Sequence, residues 1–467
     1  MFTDVSSFIA ELDRRGELAR ISEPVDPRLE ISALVDKVSK TPGGGPGLLF
    51  EKPTGSSMPV AANIYGSMSR ICLALGVKHL DELAAEIEEL TTPPMPRGFM
   101  DALKMMPLVS RLTDLLPKIV KDAPCQEVVK TDGGLDELPI LTTWPEDGGP
   151  FITLPLVITR DPETGMHWQR HKGGAQHHRL AERMGKRLEV AVALGADPVL
   201  QYCATAPMPE GLDELMLAGV LSKRRVEMVK CRTIDLEVPA QAQIILEGYV
   251  EPGERRREGP FGDHTGLYSL ADDFPVFHMT CLTMRRNPVY VTTVVGIPPM
   301  EDYYIGMASE RIFLPLIRKT LPEIVDMHFP AAGIFHNFVF ISIDKRYPGH
   351  ARKIMSAVWG LGQLMFSKCV VVVDKDVNVQ NEAEVAWIAG THVDPSRDVQ
   401  IVTGPVDDLD DAAIAPAFGG KMGIDATRKW PAEGMTKEWP KRLVTTEAAA
   451  KKADALWEKI RNRDVKR

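Results

Sequence analysis

The chain has 467 residues, 44% of them hydrophobic and 25% charged, with a formal net charge of −9 at pH 7. At roughly 100–200 residues per domain, that length gives two to four domains, each able to bury its own core. The acidic balance argues against nucleic acid or an anionic membrane surface as a partner, and six scattered cysteines without a C-x-x-C argue against a disulfide frame or a zinc site.

Residues 4–15 place Phe8, Ile9 and Leu12 on one helical face ahead of Gly16, which reads as an amphipathic helix start and not a signal peptide. VDPRLEISALVDK (25–37) predicts a second helix. TPGGGPG (41–47) is a loop that lacks G-K-[ST], so it is no phosphate loop. Leu80, Leu83, Ile87 and Leu90 form a third helical stripe, and TTPPMPRG (91–98) breaks the chain. From about 125 to 300, runs such as FITLPLVITRDPETG and RVEMVKCRTIDLEVPAQAQIILEGYV are strand-like, which suits a barrel or sandwich.

Helical pattern returns after Glu301. FVFISI (338–343), a helix near 350–366 and CVVVVD (369–374) read as a βαβ unit. TTEAAAKKADALWEKIRNR (445–463) is a lone charged helix, expected to pack on a partner subunit or on the body. No apolar run approaches membrane-spanning length, so no integral membrane segment is expected, and the reduced thiols point to the cytoplasm.

Four stretches carry candidate chemistry. HWQRHKGGAQHHR (167–179) is rich in histidine, but the Glu of H-E-x-x-H is absent, and its composition reads as a solvated basic loop. A metal hydrolase built on these histidines would act with metal alone, yet no hydrolase ligand spacing is present. DKDVNVQNEAEV (374–385) has no Gly at its sixth position and Val385 at its twelfth, so it is not a calcium loop. FGGKMGIDATRKW (418–430) is either an anion cradle or a turn with a solvated lysine. In EGPFGDHTG (258–266), Gly and Pro impose an irregular backbone that can aim side chains into a cavity. Two carboxylates held close raise one pKa, as a general acid near neutral pH requires. The plainer reading is a hairpin turn with exposed acids.

Several long stretches together resemble the UbiD-type decarboxylases, the 3-polyprenyl-4-hydroxybenzoate decarboxylase-like enzymes that use prenylated FMN. They are NIYGS (63–67), WPEDGGPFITLPLVITRDPETG (144–165), HKGGA (171–175), LEVPAQAQIILEGYVEPGERRREGPFGDHTG (236–266), PEIVDMHFP (322–330), YPGHARKIM (347–355), DKDVNV (374–379) and KMGIDATRKWP (421–431). The resemblance implies a mixed α+β and α/β chain in three domains: an N-terminal α/β domain (1–115), a central split β-barrel that binds the flavin (116–305), and a C-terminal α/β oligomerisation domain with its terminal helix (306–467). It implies reversible, non-oxidative decarboxylation of an aromatic or α,β-unsaturated carboxylic acid, with the prenylated flavin as electron sink. The protein then supplies positioning, a protonating acid and a shaped apolar pocket.

Residue by residue, the resemblance makes Asp263 the proton donor and Glu258 a member of the same network. It makes His171 and Glu214, the latter in PMPEGLDE (207–214), ligands of a manganese ion with potassium nearby, which suits hard oxygen donors. Arg170, Lys172 and Gly173 fall where the family contacts flavin and phosphate, and Lys421 matches a lysine that approaches the flavin. The implied partners are a small carboxylic acid, a prenyl-flavin synthase that supplies the cofactor, and further copies of the chain in a dimer or hexamer.

One piece is missing. Between VITRDPETG and MHWQRHKGG, family members carry a hairpin's length of chain with an N-x-G-x-Y-R type motif. Its Asn is a third manganese ligand and its Arg pairs with the acids. Here Gly165 runs straight into Met166. Two acids without that cation are uncompensated, and Lys does not reproduce the fork of Arg. Lost strands also expose sheet edges. The expectation is therefore decarboxylase ancestry and fold with impaired turnover, unless Arg160 or Arg170 takes the missing place. The alternative from another class is a non-catalytic flavin-binding or scaffold homologue, which would hold cofactor without exchanging CO2.

Overall fold

The structure, a computed structural model, describes residues 1–91, 116–162, 167–168, 171–208 and 213–464. The first helix, Val5–Arg14, buries Val5, Phe8, Ile9 and Leu12, and Asp4 caps it by accepting a 2.7 Å hydrogen bond from the Ser7 amide. Strand Leu18–Val25 follows, and the second expected helix, 25–37, is present from Glu30 to Ser39. The chain turns between them at Leu29, whose φ of 70° is left-handed and cannot continue a right-handed helix. Helix Leu80–Thr91 follows its sequence stripe. The break at 91–98 lies, beyond Thr91, outside the described residues.

Strand Leu18–Val25 leads a four-stranded sheet in the order Leu18–Val25, Gly47–Pro53, Val60–Ala62, Tyr290–Val291. Its last member arrives from the far side of the strand-rich middle, so the two regions share a sheet. The middle is built on six strands in the order Val128–Lys130, Asp272–Met284, Ile244–Glu258, Leu188–Leu194, Pro155–Arg160, His167–Trp168. LEVAVAL (188–194) is apolar almost throughout and almost wholly buried, as a strand covered on both faces must be. The neighbouring histidine-rich stretch is not a solvated loop. Helix His171–Arg183 runs through it, and His177 is buried with its Nδ1 2.9 Å from the Thr159 hydroxyl.

The C-terminal third holds a five-stranded sheet in the order Ile324–His328, Phe338–Ile343, Cys369–Asp374, Phe418–Asp425, Val399–Pro405. Strands Phe338–Ile343 and Cys369–Asp374 run parallel, as a βαβ unit demands. The helix between them ends at Trp359, and a separate 3-10 turn spans Gly362–Phe366. This mixed architecture, helical flanks around a strand-rich centre, is the fold class the sequence indicates. Among the described residues no helix is long and apolar enough to cross a membrane. The terminal helix, Glu447–Asp464, leaves Leu456, Trp457 and Ile460 exposed.

A buried ionic cluster fixes the C-terminal sheet. The Lys429 ammonium, almost fully buried, donates to the Asp425 and Thr427 carbonyls at 2.7 Å and to the Asp425 carboxylate at 3.0 Å. Lys429→Met leaves a buried carboxylate without its cation and is expected to cost about 3–5 kcal/mol, read as a lower urea midpoint at unchanged slope.

Candidate active site

Strand Ile244–Glu258 ends its ladder at Glu258, opposite Asp272. The chain then turns through Gly259, at φ 89°, and Pro260. The turn is clamped from outside by WPEDGG (144–149). The Gly148 amide donates to the Pro260 carbonyl at 2.8 Å, and a Cβ placed on Gly148 would lie 2.2 Å from the Gly259 carbonyl oxygen. Asp147 spans the junction: one oxygen accepts from the Gly262 amide at 2.8 Å, the other from Thr143 and Trp144 amides at 2.9 and 2.8 Å. The Trp144 indole donates to the Val295 carbonyl at 2.9 Å and its ring covers Gly262. The loop that carries Asp263 is thus held by its neighbours and not by its own turn alone. Gly148→Ala is expected to shift it, slowing any chemistry at Asp263 by about 10²-fold with the far-UV dichroism unchanged.

Asp263 sits at the head of a tight turn, its carbonyl accepting from the Gly266 amide at 2.9 Å. Its carboxylate accepts from the His264 amide at 2.7 Å and lies 2.9 Å from His264 Nδ1. Burial works against a charge on His264, but the bond to Asp263 and the negative charges of Asp263, Asp302 and Asp407 outweigh it and raise the His264 pKa. His264 Nε2 in turn meets His336 Nε2 at 2.8 Å. Asp302 is in the first turn of helix Glu301–Thr320. Burial pushes its carboxyl up to about 7, with the His264 charge opposing.

Glu258 ends exposed, and among the described residues its carboxylate has no hydrogen bond or ion pair. Glu214 is 1% exposed, the first residue of helix Glu214–Ser222, with Asp213 as the cap. His171 opens its own helix, and Lys172 and Gly173 follow in the same first turn. Arg170 and the Gly165–Met166 junction lie outside the described residues. Lys421 is neither in a turn nor solvated. It is in strand Phe418–Asp425, its ammonium donates to the Met365 and Ser367 carbonyls at 2.5 and 3.0 Å, and burial pushes its pKa down to about 8. Arg160 is engaged with Asp235 at 2.9 Å and Glu237 at 3.1 Å. Among the described residues no three metal-ligating side chains converge.

Residues 9–89, 118–298 and 303–426 match the N-terminal, Rift-related and C-terminal domains of the 3-octaprenyl-4-hydroxybenzoate carboxy-lyases. The chain belongs to the UbiD family. Two uncharacterised proteins, from Aquifex aeolicus and Archaeoglobus fulgidus, are each 48% identical to it, over 98% and 99% of this chain and 99% of each relative. The matched spans are 479 and 481 residues long, more than the 467 of this UbiD chain, so both relatives carry residues that it lacks.

Among solved structures, the UbiD-class enzyme HmfF from Pelotomaculum thermopropionicum, in complex with FMN, is 29% identical, with a TM-score of 0.79 over 95% of this chain and 97% of that one. The vanillic acid decarboxylase of Sedimentibacter hydroxybenzoicus is 27% identical, with a TM-score of 0.84 in its closed form (98% of this chain, 99% of that) and 0.78 in its open form.

Three further groups shape the site of this UbiD chain. Asp147 had a usable signal, an acid followed by two glycines in WPEDGG. His264 lies within EGPFGDHTG itself, next to the acid. His336, in GIFHN, has no local signal at all.

Proposed function

We propose that this UbiD chain is a prenylated-FMN-dependent, non-oxidative decarboxylase of an aromatic or α,β-unsaturated carboxylic acid, slowed by the missing Asn/Arg hairpin. The division into domains at residues 115 and 305 is part of the same reading. One observation carries it: Asp263 is half-buried on a loop fixed by Asp147 and Trp144, with His264 against its carboxylate. When bound, the prenylated flavin supplies the sink for the electron pair that the departing carboxyl group leaves.

The chain's own residues do the rest. Asp263 delivers a proton to the carbon that lost CO2, and Glu258 belongs to the same acid loop. Glu214 and His171 would hold Mn2+, with K+ as a further ion. The fit is chemical: a buried carboxylate such as Glu214 and an imidazole are donors that suit manganese. Arg170, Lys172 and Gly173 would bind the flavin and its phosphate, and Lys421 would approach it. The FMN and prenylated-FMN complexes of HmfF support the cofactor. The better match to the closed than the open vanillic acid decarboxylase supports reading the present arrangement as closed. All six cysteines are unpaired, which suits the reducing cytoplasm. The chain takes its cofactor from a prenyl-flavin synthase and works as a homo-oligomer.

The impairment rests on the short Gly165–Met166 junction, on relatives that carry residues this chain lacks, and on Arg160, whose guanidinium is already committed to Asp235 and Glu237. The experiment is to co-produce the chain with a prenyl-flavin synthase, then measure bound flavin, manganese and CO2 release across aromatic and acrylic acids. Bound flavin with slow release is expected. Fast turnover refutes the impairment, flavin without any CO2 exchange favours the scaffold alternative, and protein with neither flavin nor manganese ends the proposal. Glu214→Gln is expected to lower retained manganese and flavin together, at least tenfold, as an elemental assay and absorbance spectrum will show.

A further inference from the structure

Two imidazole Nε2 atoms 2.8 Å apart share one proton, because two lone pairs repel and two N–H groups clash. His264 and His336 meet this way, and His264 Nδ1 faces Asp263 at 2.9 Å. A continuous line of hydrogen bonds therefore runs from Asp263 through His264 to His336. Its two ends come from different parts of the fold. His336 stands between the turn Ala331–Gly333 and strand Phe338–Ile343, on a stretch where Ile334 and Phe335 take φ of 57° and 40°. A left-handed backbone is costly for a β-branched residue, and here it seats the Phe335 ring 5.6 Å from His264 and 5.8 Å from His336.

The partners decide which ring carries an extra proton. A cationic imidazole has two N–H groups to satisfy. His264 satisfies both, through Asp263 and His336. His336 does so less well, since its Nδ1 is sealed from solvent and the Asn337 side chain that faces it makes no hydrogen bond of normal geometry with it.

We propose that His264 is the proton store of Asp263, and that His336 holds the store loaded by accepting the His264 Nε2–H. This rests on Asp263 as the acid of the proposed reaction. In the loaded site Asp263 is a carboxylate, His264 carries protons on both nitrogens, and His336 is neutral. The Nδ1 proton passes to Asp263 and from there to the carbon that lost CO2. Asp263 is again a carboxylate, and His264 is left neutral, still donating Nε2–H to His336. After release, water returns one proton to His264 Nδ1, so each turnover takes one proton from solvent. Asp263, Asp302 and Asp407 face His264, and His264, Asp407 and Asp410 face His336. These carboxylates raise the His264 pKa, while burial and the His264 charge push His336 down to about 4, in keeping with the assignment.

The first test needs no flavin and no variant. In 15N-histidine-labelled protein, His264 is expected to carry protons on both nitrogens at neutral pH, to titrate above the ordinary 6.5, and to show a coupling across the hydrogen bond to His336. A singly protonated His264 with no coupling overturns the store, whatever the activity. His336→Phe removes the acceptor and is expected to lower the His264 midpoint, whereas His336→Gln, which keeps an acceptor, is expected to leave it near the parent value. In flavin-loaded protein, His264→Gln is expected to slow deuterium incorporation into product about 10²-fold and to move the alkaline fall of the pH profile to lower pH. If Asp263→Asn abolishes incorporation while His264→Gln keeps the parent rate and profile, the store fails and the acid stands. If Asp263→Asn changes nothing, or the loaded parent exchanges no deuterium, the reading of Asp263 falls and the store with it.

Discussion

Asp263→Asn is expected to abolish deuterium incorporation from D2O into the decarboxylated product while leaving the bound flavin unchanged. A positioned general acid is worth about 10²–10⁴-fold, and an amide has no proton to give at neutral pH. The substitution spares the rest of the loop. An amide oxygen still accepts from the His264 amide, and the backbone is fixed by Asp147 at Gly262 and by Gly148 at Pro260. Loss of exchange with unchanged flavin content and far-UV dichroism will therefore report chemistry and not collapse. The same change removes the anion that stabilises the His264 charge, so the His264 midpoint will fall in the flavin-free protein. A version with the family hairpin restored between Gly165 and Met166 should show the same loss from a faster baseline. Unchanged exchange in both would remove Asp263 from its role.

Local pattern foretold what local forces decide. Phe8, Ile9 and Leu12 define a helical face, and Val5–Arg14 is that helix. CVVVVD is a buried parallel strand because its continuous apolar run has no solvent face to offer. The special character of EGPFGDHTG was equally visible, since glycines and a proline in one stretch can specify neither helix nor strand. What pattern could not give is which surfaces meet. His336 is 72 residues from His264, and nothing around it in GIFHN marks it. It reaches the acid only because Ile334 and Phe335 accept left-handed backbone, which no residue type there advertises. Lys421 misled for the opposite reason. Glycines on its N-terminal side suggested a turn, but strand pairing buries it and its charge is met by carbonyls from a distant 3-10 turn. The histidines at 177 and 178 looked solvated by composition, and helical packing against strand Pro155–Arg160 buries His177.

Asp302→Asn is expected to stabilise the protein, and increasingly so as pH rises. Burial holds the folded-state pKa of Asp302 at about 7, against an ordinary 3.8, and one carboxylate oxygen has no partner among the described residues. The sign follows from proton counting. Between 3.8 and about 7 the folded state keeps a proton that the unfolded state has released, so stability falls as pH rises through that window. Below 3.8 both states are protonated and the residue contributes nothing. Above about 7 the folded protein bears the full cost of a buried anion, up to about 4 kcal/mol at 1.36 kcal/mol per pKa unit. An amide of the same shape carries no such cost. Urea midpoints of the two proteins should coincide near the acid end and separate toward neutrality, and a constant gap would show that Asp302 is ionised throughout. The gain has a functional counterpart. Asp302 is one of the anions that face His264, so its loss should lower the His264 midpoint and, at neutral pH, leave less of the protein with a loaded acid. A variant that is both more stable and slower at neutral pH is what a buried carboxylate kept beside a proton-carrying histidine predicts.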